Sequence, residues 1–182
     1  MQKRILTNNI FTIDEFWTSS ECDAFISKSE AIGYEPATIE TESGPRLVTN
    51  VRNNNRVLYK SYELADILWR QLEPLAPKQI GNSKAVGLNE LFRVYKYQEG
   101  QEFKRHRDQS YIRSNGEASY YTFMIYLNQD YEGGETIFGD LSIEPKQGMA
   151  LVFLHNLEHE GSPVKRGIKY VLRSDVMFLL EE

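Results

Sequence analysis

The stretch "SYYTFMIYLN", residues 119–128, constrains the fold more than any other part of the chain. Tyr120, Thr122, Met124 and Tyr126 fall on one face of an extended backbone, and Tyr121, Phe123, Ile125 and Leu127 on the other. A period of two carried by aromatic and β-branched residues is the pattern of a strand. It recurs in "LNELFRVYKYQEG", where Leu91, Arg93, Tyr95 and Tyr97 oppose Phe92 and Val94. "YEGGETIFGD", "LSIEP", "MALVFL" and "GIKYVLRSDVMFLL" add further short strands, with "GG" and "KQG" as turns. Such a series from about residue 90 onward predicts a sandwich or barrel.

The first half reads differently. "TSSECDAFISKSEAIG" opens with Thr18 and Glu21 in capping-box spacing. Cys22, Phe25, Ile26 and Ile32 fall roughly on one helical face, and Gly33 is the stop. A second helix is expected in "SYELADILWRQLEPLAP", capped by Ser61, with Leu64, Ile67, Leu68 and Leu72 inward and Pro74 and Pro77 closing it. Between them, "IETESGPRLVTNVRNNNRVLY" is polar and turn-prone. It reads either as a plain hairpin and loop or as a flap over a cleft.

At 182 residues with 41% hydrophobic and 26% charged residues, the chain suits one soluble domain. Residues 1–85 are expected as helical support and residues 86–182 as the catalytic core. A net charge of −5 argues against a nucleic-acid partner. The single cysteine, Cys22, excludes an intrachain disulfide and a thiolate cluster. "MQKRILTNNIFTIDEF" lacks the apolar core of a secretory signal, and "MALVFL" is too short to span a bilayer. A reduced, cytoplasmic protein without a membrane partner is the expectation.

Only three histidines occur: His106, His155 and His159. His106 and Asp108 form an HxD pair in "GQEFKRHRDQ", able to aim an imidazole and a carboxylate from one short segment. A second imidazole from a distant strand would complete a 2-His-1-carboxylate triad with open positions, the donor set of non-haem iron(II) oxygenases. His155 and His159 form HxxxH, a zinc pair if helical, but the segment before them reads as a strand, and His155 reads as a hydrogen-bonding residue at the rim. Tyr95, Tyr120, Tyr121 and Phe153 read as core. Ten residues past His159, Lys169 shares a strand face with Val171 and Arg173. A cation projecting inward there needs an anion.

"YKYQEGQEFKRHRD", "MIYLNQDYEGGETIF" and "HEGSPVKRGIKY" together resemble the Fe(II)- and 2-oxoglutarate-dependent dioxygenases of the prolyl 4-hydroxylase type. The likeness spans roughly residues 90 to 180. It implies an α+β, mainly β fold: a double-stranded β-helix, or jelly-roll, with supporting N-terminal helices. It implies His106, Asp108 and His159 as metal ligands and catalytic centre. It implies Fe(II), 2-oxoglutarate and O2, with ascorbate as a candidate reductant. Lys169 would take the distal carboxylate of 2-oxoglutarate, with Tyr97 and Thr136 near it. Tyr126 and Thr122 would face the cavity. Arg173 either shares that anion with Lys169 or pairs with Asp175.

The reaction implied is hydroxylation of an unactivated C–H bond, with succinate and CO2 as coproducts. The expected substrate is a prolyl residue of a peptide or protein, with Arg52 and Arg56 of "TNVRNNNRV" as contacts. The same chemistry on a free amino acid or small metabolite stays open. So do a non-catalytic jelly-roll sensor of metal and organic acid, and a zinc hydrolase using HxxxH with Glu158 or Glu160 as base. Oligomeric state has no signature here.

Overall fold

The computed structural model describes residues 1–41 and 44–181. Glu42 and Ser43 of the polar segment lie outside the described residues. Helix α1, Ser19–Ile32, begins with a complete capping box. The Glu21 N–H donates to Thr18 Oγ1 at 3.2 Å, and the Thr18 N–H donates to the Glu21 carboxylate at 2.8 Å. Two amides that a helix start leaves unpaired are thereby satisfied. Thr18→Ala is expected to cost about 1 kcal/mol, read as a lowered urea midpoint at unchanged slope.

Cys22 is buried, and Phe25 and Ile26 pack on the core. Ile32, expected on that face, is exposed, and Ser29 is buried instead. Seven residues beyond Cys22 nearly complete two helical turns, whereas ten do not close a whole number. Helix α2, Tyr62–Leu72, is capped by Ser61, whose hydroxyl accepts the Leu64 N–H at 3.1 Å. Its buried stripe is Ala65, Leu68 and Leu72. Ile67, expected inward, faces out because the i, i+3, i+7 row passes through Ala65.

Among the described residues, ten strands join one large antiparallel sheet. Its middle is the pair Ala118–Tyr126 and Lys169–Leu180, in register from Ala118↔Phe178 to Tyr126↔Val171. On one side follow Ala150–Leu154, Ile10–Asp14 and Gln2–Thr7. On the other come Leu91–Tyr97, Asn55–Lys60 and Glu35–Pro36. Ser83–Leu88 pairs with the distal half of Lys169–Leu180. The first half of the chain therefore supplies strands as well as the two expected helices. Those strands are short and polar-flanked, so they carry little periodicity of their own.

A second sheet has the order Phe103–His106, His159–Gly161, Thr136–Phe138, Leu141–Ile143. A further hairpin, Ile39–Thr41 with Gly44–Arg46, lies in the polar segment where a hairpin was one expectation. The alternation in the long strands divides the core in two. Phe92, Val94, Phe123, Ile125 and Leu172 pack toward α1 and α2. Tyr95, Tyr97, Tyr126, Phe153 and Val171 pack with Phe138 and Ile143 of the second sheet. Two antiparallel sheets closed over that second core make the double-stranded β-helix. Among the described residues, no helix is long and apolar enough to cross a membrane.

Candidate functional site

His106 ends its strand and His159 begins another, and the two residues are direct cross-strand partners. Their ring centroids are 4.3 Å apart. Asp108 follows two residues after His106, and its N–H donates to the His155 carbonyl at 3.1 Å, which ties the two segments together. One potential ligand atom from each of His106, Asp108 and His159 lies within 4.8 Å of the others. Segments fifty residues apart thus converge on one point.

The imidazoles are oriented from behind. His106 Nδ1 lies 2.7 Å from the Lys104 carbonyl and His159 Nδ1 lies 3.0 Å from the Leu157 carbonyl. A carbonyl only accepts, so each Nδ1 carries the hydrogen and each Nε2 keeps its lone pair. Burial, with His159 adding to it, pushes the His106 pKa down to about 4. Burial likewise lowers that of His159. Both rings are neutral at pH 7, the form a metal ligand must take.

Burial alone would raise the Asp108 pKa. The Arg173 guanidinium, 3.1 Å from Oδ2, outweighs it, helped by His159, and holds the carboxyl below its ordinary range. The Thr122 hydroxyl donates to the same oxygen at 2.5 Å. Two neutral imidazoles and an ionised carboxylate, each braced by an outer partner, are a donor set that suits a divalent iron ion.

The same cleft is also lined by Tyr97, Thr136, Lys169 and Arg173. Lys169 is 3% exposed, and its Nζ donates to the Gly134 carbonyl at 2.6 Å. Gly134 has φ +68°, and a Cβ there would meet the Lys169 stem at 3.1 Å, so glycine leaves room for the lysine. The ammonium lies 5.2 Å from the Tyr97 ring centre and 5.6 Å from that of Tyr126. The Tyr126 and Thr136 hydroxyls are 2.6 Å apart. Desolvation lowers the Lys169 pKa to about 8.

Arg173 stands four residues along the same strand, about 13 Å away along the backbone. Its Nη2 is 3.1 Å from both Asp108 Oδ2 and Asp175 Oδ1. Of the two roles open to it, the geometry gives the pairing with Asp175 and adds a contact to Asp108. Arg93 and Asn89 meet the other oxygen of Asp175, each at 3.3 Å. His155 is not at the rim. It is 4% exposed, with Nε2 3.5 Å from Asp175 Oδ1. A turn separates it from His159, so HxxxH is not helical, and Glu158 and Glu160 lie near Arg105 at the surface.

Three features escaped sequence reasoning. Tyr95 is core as expected but also lines the cleft, and Phe103 does too. Thr122 bonds Asp108 rather than only facing the cavity. Arg52, expected as a substrate contact, is 5% exposed and held within the wall. Its guanidinium carbon lies 4.1 Å from the Tyr95 ring centre and 4.3 Å from that of Phe103. Arg56 donates to the Thr38 hydroxyl at 2.7 Å. An arginine placed among asparagines was the available signal, but stacking between distant residues has no periodicity to reveal it.

A family model described as the 2OG-Fe(II) oxygenase superfamily matches residues 92–174. A curated relative, probable prolyl 4-hydroxylase 4 of Arabidopsis thaliana, is 27% identical over 161 residues, covering 87% of this chain and 51% of that protein. The chain thus spans about half the length of that relative. The viral collagen prolyl hydroxylase of Paramecium Bursaria Chlorella virus-1, solved as a 2OG complex, superposes with a TM-score of 0.65 at 22% identity. The match covers 93% of this chain and 96% of that one. A Trichoplax adhaerens prolyl hydroxylase, solved with a hypoxia inducible factor oxygen degradation domain peptide fragment, has a TM-score of 0.67 at 17% identity, covering 93% and 84%.

Proposed function

We propose that this chain, which matches the 2OG-Fe(II) oxygenase superfamily over residues 92–174 and is similar to prolyl 4-hydroxylases, is an Fe(II)- and 2-oxoglutarate-dependent dioxygenase that hydroxylates a prolyl residue of a peptide or protein. The observation that carries this reading is one cleft shared by two unlike groups. His106, Asp108 and His159 converge on a point in it, and a buried Lys169 lines it with no carboxylate within 4.0 Å among the described residues. Two imidazole Nε2 atoms and an Asp108 oxygen would hold the iron. When bound, iron and 2-oxoglutarate supply the power to oxidise an unactivated C–H bond with O2, giving succinate and CO2.

The chain's own residues prepare that chemistry. Thr122 and Arg173 fix the Asp108 carboxylate through Oδ2. Lys169 receives the distal carboxylate of the cosubstrate, beside the Tyr126 and Thr136 hydroxyls. Tyr97, Phe103, Phe153 and Val171 wall the cleft and keep water from it. An acidic residue at position 108 fills the place a halide would need, which favours hydroxylation over halogenation. The peptide substrate is supported by the names of the relatives, one of them solved with a peptide fragment. The free, buried Cys22 suits a reducing, cytoplasmic setting.

Incubation with Fe(II), 2-oxoglutarate, ascorbate and air is expected to yield succinate and, on a proline-containing peptide, a gain of one oxygen atom by mass spectrometry. Succinate with no peptide oxidised, but a free amino acid converted, would refute the peptidyl substrate. Tight 2-oxoglutarate binding with no succinate in air would refute catalysis.

Lys169 gives a pH dependence. Its folded pKa of about 8 lies below the ordinary 10.5, so above pH 8 the free site loses the charge that a dicarboxylate needs. Binding then takes up a proton, and affinity should fall by about tenfold per pH unit beyond that point. Calorimetry in buffers of different ionisation heat would register the proton uptake. The sign reverses for stability without ligand. Between pH 8 and 10.5 the unfolded chain holds a proton that the folded one has lost, so stability from this group rises with pH.

A further inference from the structure

Phe103 and His106 are stacked nearly parallel, with ring centroids 3.5 Å apart and 14° between their planes. A ring that close leaves Phe103 only its opposite face, and the Arg52 guanidinium lies over that ring at 4.3 Å. The Tyr95 ring covers the guanidinium at 4.1 Å. Arg52 therefore touches both rings, and Phe103 stands between it and His106, a candidate metal ligand.

Arg52 reaches the stack from residues 48–54, far in sequence from its neighbours, and the backbone there is fastened to the histidine's own strand. Arg52 forms a β-bridge with Phe103. The Lys104 N–H donates to the Val51 carbonyl at 3.0 Å, and the Glu102 N–H donates to Asn53 Oδ1 at 2.8 Å. Arg52 Nε donates to Asn54 Oδ1 at 2.7 Å, which fixes the plane of the guanidinium. Its Nη2 is buried without a hydrogen-bond partner, and among the described residues no carboxylate lies within 4.0 Å of it. Burying a cation without an anion is costly. What this arginine does gain is two aromatic faces and the nearby hydroxyls of Tyr95 and Tyr97.

The hydrogen bond from His106 Nδ1 to the Lys104 carbonyl sets one direction of the imidazole but leaves rotation about that line free. A flat neighbour removes the rotation. We propose that Arg52 is a positioning residue for His106, acting through Phe103: it presses the phenyl ring flat against the imidazole, so that Nε2 stays aimed at the point shared with Asp108 and His159. This rests on the reading of His106 as a metal ligand. It also ties residues 48–54 to the geometry of the metal.

Co(II) is a spectroscopic probe that needs no turnover. Its dissociation constant and visible ligand-field spectrum are measured for the wild type, Arg52→Leu, Phe103→Leu and the double variant, with thermal midpoints alongside. Each single variant is expected to weaken Co(II) binding about tenfold and to alter the spectrum in the same way, as loss of an outer-shell partner does. The double variant should bind no more weakly than Phe103→Leu alone, because one residue acts through the other. Asn53→Ala removes one tether of the same segment without entering the stack, so it should lower the midpoint and cost Co(II) affinity clearly less than Arg52→Leu. Arg52→Lys keeps the charge but not the plane and should fall between Arg52→Leu and wild type; it carries the test if Arg52→Leu does not fold.

Wild-type affinity in Arg52→Lys and Arg52→Leu, additive losses in the double variant, or an equal loss in Asn53→Ala would each overturn the proposal. A wild-type chain that takes up no Co(II) would instead overturn the metal reading on which it rests.

Discussion

His159→Ala should release the metal and end turnover, a larger loss than the roughly 10- to 100-fold that an outer-shell change costs. The residue supplies one of three converging donors, and among the described residues no other side chain joins the cluster. His155, the nearest histidine in sequence, is directed at Asp175. The imidazole of His159 also packs on Phe153, with ring centroids 4.6 Å apart, so alanine opens a gap in the second core. Stability and ligation are therefore to be separated. Equilibrium dialysis against Fe(II) under nitrogen reads the metal, and circular dichroism reads the fold. A folded variant that retains iron at wild-type strength would show that His159 is not a ligand.

Lys169→Ala should raise the 2-oxoglutarate requirement by at least about 30-fold while leaving iron binding intact. Truncating one member of a buried charge pair costs about 2–5 kcal/mol, most of it from stranding the other charge. No described side chain nearby can substitute. Arg173 lies along the strand and already serves Asp108 and Asp175. The two cations on this strand face should thus separate by phenotype: loss at Lys169 weakens the cosubstrate, and loss at Arg173 disturbs the carboxylate ligand. If Lys169→Ala loses iron and keeps its cosubstrate affinity, the assignment of the anion site is wrong. Competition by succinate gives an independent reading of the same site.

How far the sequence reveals this arrangement depends on the range of each interaction. The alternation in residues 119–128 and 169–180 is local, and it separates the face that packs on the helices from the face that lines the cleft except at Tyr120, which the bulge between Ser119 and Tyr121 brings to the helix side. The grouping of His106, Asp108, His159 and Lys169 comes from a resemblance of three sequence segments rather than from periodicity, and the fold brings all four to one cleft. Helix faces were less secure. Ile32 and Ile67 are apolar and near the right position, but the 3.6-residue turn carries them outward, and Ser29 and Ala65 are buried instead. The strands Gln2–Thr7 and Ile10–Asp14 are not legible in the sequence because the first is largely exposed and pairs with the second, whose burial comes from pairing with Ala150–Leu154, far along the chain.

The brace behind the site was the least legible part. Arg173 on Asp108, His155 beside Asp175 and Arg52 between two rings are each set by tertiary approach. Arg52 and Phe103 are separated by about fifty residues of mixed loop, helix and strand. Composition suggested an exposed polar loop for "TNVRNNNRV". Instead, backbone hydrogen bonds to the Phe103–His106 strand draw that loop in and bury its first arginine.

The central claim is that one cleft holds a metal on His106, Asp108 and His159 and a keto acid anchored by Lys169, close enough for the two to be joined. Anaerobic titration of the wild-type protein with Fe(II) and 2-oxoglutarate, followed in the visible range, tests this most directly. A weak charge-transfer band should appear only when both are present and should be lost in His159→Ala. A protein that binds both without developing the band, or that develops it equally without His159, would contradict the claim.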